Sequence, residues 1–61
     1  MIVRGRGPVL AVWRGDAAAP TLLALPRAMT LRGVVVWGGA PWAILHAPGD
    51  PRGPLSAVAL P

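Results

Sequence analysis

Apolar residues come in short runs along this chain, and glycine or proline interrupts the spaces between them. The runs are Ile2 to Arg4, Val9 to Trp13, Thr21 to Leu25, Met29 to Trp37, Trp42 to His46 and Leu55 to Leu60. Val, Leu, Ile and Trp dominate them, and branched or broad side chains suit a pleated surface. With eight prolines and eight glycines in the chain, no uninterrupted stretch gives three good turns of amphipathic helix, because proline removes a donor and clashes with the preceding turn. The pattern predicts an all-β fold. It is a small barrel or sandwich-like sheet of five to six short strands with a central hairpin, in a single small β-rich domain over residues 1–61.

The hairpin is the strongest local signal, because Gly33 to Trp37 and Trp42 to His46 flank Gly38, Gly39, Ala40 and Pro41. A symmetric four-residue loop sets Trp37 opposite Trp42, Val35 opposite Ile44 and Gly33 opposite His46 on one side. Val36 then faces Ala43 and Val34 faces Leu45 on the other. Both faces are apolar, so the strand pair must lie inside a sandwich, wrap into a barrel or be covered by a partner. Further reversals are expected at Arg14, Gly15 and Asp16, and at Asp50, Pro51, Arg52 and Gly53, where proline and glycine occupy the second and fourth positions of a type I turn. Asp16 to Ala19 reads as loop or one short turn, since Pro20 disfavours its continuation. No internal repeat is evident.

Length makes the covering problem acute. A 61-residue chain buries only about 60% of the surface it exposes when unfolded, and small scaffolds compensate with disulfides, a metal or association. Cysteine is absent. His46, Asp16 and Asp50 are the only strong candidate ligands, whereas a closed structural zinc site takes four Cys or His groups, so neither a metal nor a cofactor is expected. Association remains. The apolar fraction of 54%, inflated in part by eleven alanines, exceeds what so few charges shield, and leftover apolar surface marks partner contacts. The candidate partner contacts are Trp13, Trp37, Trp42, Val35 and Ile44.

The net charge of +4 comes from Arg4, Arg6, Arg14, Arg27, Arg32 and Arg52 set against Asp16 and Asp50. Such a balance favours anionic partners. Missing Lys, Asn, Phe and Tyr indicate GC-rich coding, which itself selects Arg codons, so the sign of the charge carries more than the identity of the cation. The segment Arg4-Gly5-Arg6-Gly7 matches the Arg-Gly elements of nucleic-acid-binding segments, although a polar turn before Pro8 accounts for one copy. Candidate phosphate contacts are Arg4, Arg6, Arg27, Arg32 and Arg52, scattered along the chain. The Arg14-Gly15-Asp16 triplet matches an integrin-binding tripeptide, a match too short to carry function.

His46, Ser56 and the two aspartates supply the residue types of a hydrolytic triad, but no spacing sets a nucleophile against a base and an oxyanion site. No catalytic residue is assigned. Seventeen residues from Gly33 to Gly49 carry no fixed charge, near the lower limit for a membrane span, yet Gly38, Gly39 and Pro41 at its centre would forfeit backbone hydrogen bonds in lipid. The run Val9 to Trp13 is too short for a secretory signal. Together these features predict a non-enzymatic structural or interaction subunit that oligomerises or docks onto a larger assembly, such as a viral particle or multisubunit complex. The alternative is a small basic nucleic-acid-binding β-barrel. Self-association or a protein partner is expected first, nucleic acid second and a membrane last. No feature indicates a compartment.

Overall fold

The computed structural model describes all of residues 1–61. Six strands form: β1 (Ile2–Arg6), β2 (Val9–Trp13), β3 (Thr21–Ala24), β4 (Thr30–Trp37), β5 (Ala40–His46) and β6 (Ser56–Ala59). They build two antiparallel meanders, ordered β1-β2-β3 and β4-β5-β6. The meanders share one core and form an open sandwich of Cα extents 34 × 25 × 15 Å, not a closed barrel.

Each meander begins with a two-residue reversal. Between β1 and β2 it is Gly7-Pro8, and Gly7 takes a φ of 57°, which suits the first position of a type II′ turn. The expected polar turn over Arg4 to Gly7 is therefore corrected, because β1 runs through Arg6. Between β4 and β5 the loop is Gly38-Gly39 alone, with φ of 61° and 77°. This differs from the expected four-residue loop: two glycines enter the left-handed region without a Cβ clash, and the resulting turn matches the twist of the strands. Ala40 and Pro41 consequently join β5. The register moves by two residues, pairing Val35 with Trp42, Gly33 with Ile44, Val34 with Ala43 and Trp37 with Ala40. A two-residue shift leaves each side chain on its expected face. Arg32 forms a bulge, after which Leu31 pairs with Leu45.

The central strands supply the core. Leu10 and Val12 of β2 and Ala43 and Leu45 of β5 are enclosed, and Leu25, Met29 and Leu60 complete the buried cluster. Leu25 and Leu60 close equivalent ends: the Leu25 N–H donates to Pro8 O at 2.7 Å, and the Leu60 N–H donates to Pro41 O at 3.1 Å. Each of these leucines follows the last strand of its meander and precedes a proline. The two halves thus repeat one plan that the sequence alone did not reveal. Where β1 meets β4, a Cβ on Gly5 would stand 3.3 Å from Leu31 Cβ and 3.4 Å from Leu10 Cδ2. The absent side chain lets the two sheets approach.

Candidate functional site

Strand alternation gives each sheet one face toward the core and one toward solvent. On the second sheet the outer set is Val35 and Trp37 of β4, Trp42 and Ile44 of β5, and Ala57 and Ala59 of β6, with His46 at the far end of β5. Val35 sits directly across from Trp42, and Trp37 lies on the diagonal. Their indole rings meet edge to face, with centroids 6.3 Å apart and planes at 62°, a favoured aromatic geometry. Trp42 Nε1 donates to Trp37 O at 3.2 Å, which satisfies its one polar group within the hairpin. What remains is a shallow groove of 260 Å³ lined only by apolar residues. Trp37 is 74% exposed and Val35 47%.

The covering is also incomplete at the hairpin tip. Val34 and Val36 share the inner face with Ala43 by register, yet Val36 is 76% exposed, because the long β4–β5 hairpin overhangs the shorter first sheet. The whole chain exposes 4279 Å². A compact monomer of 6.3 kDa is expected to expose about 3,740 Å², so the excess is about 540 Å².

The outer face of the first sheet has a different chemistry. Arg4 pairs with Ala11, Arg6 with Val9 and Ile2 with Trp13, while Leu22 of β3 lies on the other side of Ala11. The small Ala11 side chain leaves an open groove of 820 Å³ walled by Arg4, Arg6, Trp13 and Leu22. Three side-chain hydrogen bonds form in the molecule, and neither Arg4 nor Arg6 takes part in any of them.

Of the five apolar candidates, Trp37, Trp42, Val35 and Ile44 gather on the second sheet. Trp13 does not join them; it flanks the arginines on the first sheet. Arg4 and Arg6 come together there, whereas Arg32 at the bulge donates from Nη1 to Pro51 O at 3.0 Å. Arg27 and Arg52 sit in loops. Ala57, Ala11 and Leu22 also line the two faces; strand pairing brings them there, and only the register reveals it. His46 Nδ1 donates to Ala47 O at 2.9 Å. Ser56 pairs with Leu45, so its hydroxyl projects from the face opposite to His46. No protein-family model matches this chain, and no curated protein or solved structure is significantly similar to it.

Proposed function

We propose that this chain is a non-enzymatic interaction subunit whose second sheet stacks on the same sheet of another copy. The observation that supports this most is the apolar groove on the outer face, built around Trp37 and Trp42. A second copy suits it because no titratable group lines the groove and the arginines lie elsewhere. Arg4 and Arg6 point away on the opposite sheet, Arg14, Arg27 and Arg52 occupy loops, and Arg32 is engaged with Pro51. Two chains of net charge +4 can thus meet without apposing cations. Covering an excess of about 540 Å² on each of two chains would bury about 1,080 Å², at the low end for specific interfaces. The pairing is therefore weak and reversible.

NMR dilution tests the location of the contact. On concentrating the protein, the amide resonances of Val35, Trp37, Trp42 and Ala57 should shift together while those of Arg4 and Ala11 stay fixed. Shifts spread evenly over both sheets, or none at all, would count against this reading.

A further inference from the structure

We infer that the outer face of the first sheet binds single-stranded nucleic acid, with Arg4 and Arg6 on successive phosphates and Trp13 against a base. This site is separate from the self-pairing face and does not depend on it. Arg4 and Arg6 stand two residues apart on one side of β1, a spacing of about 6.8 Å along the strand that suits adjacent phosphates of an extended chain. β1 is the edge strand of its sheet, and Arg4 and Arg6 are exposed on its outer face, where a polymer can lie along them. Both guanidinium groups lack intramolecular hydrogen-bond partners and are available for bidentate phosphate contacts.

The groove beside them fits a base. Ala11 forms a low floor between Trp13 and Leu22, and the indole provides a flat surface for stacking, which tolerates any base. An acidic peptide would use the arginines but not this aromatic wall. A duplex would keep its bases stacked inside and leave the wall unused. With both arginines engaged on phosphates, the remaining contact is stacking on Trp13, which every base can make, and no carboxylate lines the groove. Binding is consequently tolerant of sequence.

The test is fluorescence titration of the full chain with an oligothymidylate of about ten nucleotides, across a salt series. Two phosphate contacts give a slope of log K against log salt of about −1.4. Arg4→Ser or Arg6→Ser should each reduce it to about −0.7. Trp13→Leu should lower affinity roughly tenfold with the salt slope retained, a split that general loss of structure would not produce. All three side chains lie on the outer face, and circular dichroism of each variant checks that the fold persists. Trp37→Ser, which disrupts self-pairing, should bind the oligomer as the wild type does, so the two readings fail separately. The inference is overturned if the oligomer does not bind at low salt or if Arg4→Ser and Arg6→Ser bind as tightly as wild type. It is overturned equally if duplex DNA or polyglutamate binds as well as the single strand.

Discussion

Leu10 and Leu45 are fully enclosed, one from each central strand, while Trp37 on the outer face is largely exposed. Truncating the first kind of residue removes core volume that nothing else fills. Leu10→Ala or Leu45→Ala should cost about 2–5 kcal/mol, comparable with the whole stability of a core this small, and abolish the cooperative thermal transition seen by circular dichroism. Trp37→Ser should cost the monomer about 0.5–1.5 kcal/mol through loss of the edge-to-face contact with Trp42 and weaken self-pairing at least tenfold, as loss of an aromatic anchor does. The sequence distinguishes these classes only where polarity alternates. In β1 the arginines at positions 4 and 6 mark the outer side against Val3. In β2 all five residues are apolar, so the alternation offers no contrast, and Trp13 cannot be told from Val12 until the partner strands are known.

At the scale of elements, the β4–β5 turn sets the geometry of the apolar face. Gly38→Asn should be tolerated, since Asn accepts the left-handed region and Asn-Gly suits this turn. Gly38→Val should cost about 1–2 kcal/mol, measured as a lowered midpoint in urea. Gly5→Val tests the inter-sheet approach: its Cβ would meet Leu31 Cβ at 3.3 Å, and such overpacking should cost about 1–3 kcal/mol in the same assay. The strands themselves were legible from runs of Val, Leu, Ile and Trp between glycines and prolines, and the ends of β2 match the run Val9 to Trp13. The loop length was not. Ala40 and Pro41 look like turn residues in isolation, and only pairing of Ala40 with Trp37 and of Pro41 with Val36 draws them into β5.

Across the whole molecule, two meanders of the same plan enclose one thin core and present unlike outer surfaces. The expected shortage of covering material is resolved unevenly. The first sheet covers Ala43 and Leu45 but leaves the hairpin tip and the Trp37–Trp42 face open. The repeat escaped the sequence because its matching features, Pro8 with Pro41 and Leu25 with Leu60, are too few to rise above the composition. Their equivalence rests on hydrogen bonds that only the fold brings together. Sedimentation equilibrium over a wide concentration range most directly tests whether another copy covers the exposed face. The account predicts an average mass that climbs reversibly from 6.3 kDa toward twice that value in the wild type, with Trp37→Ser remaining at the monomer mass under the same conditions. A wild-type chain that stays at the monomer mass throughout, or a Trp37→Ser variant that pairs equally well, would contradict it.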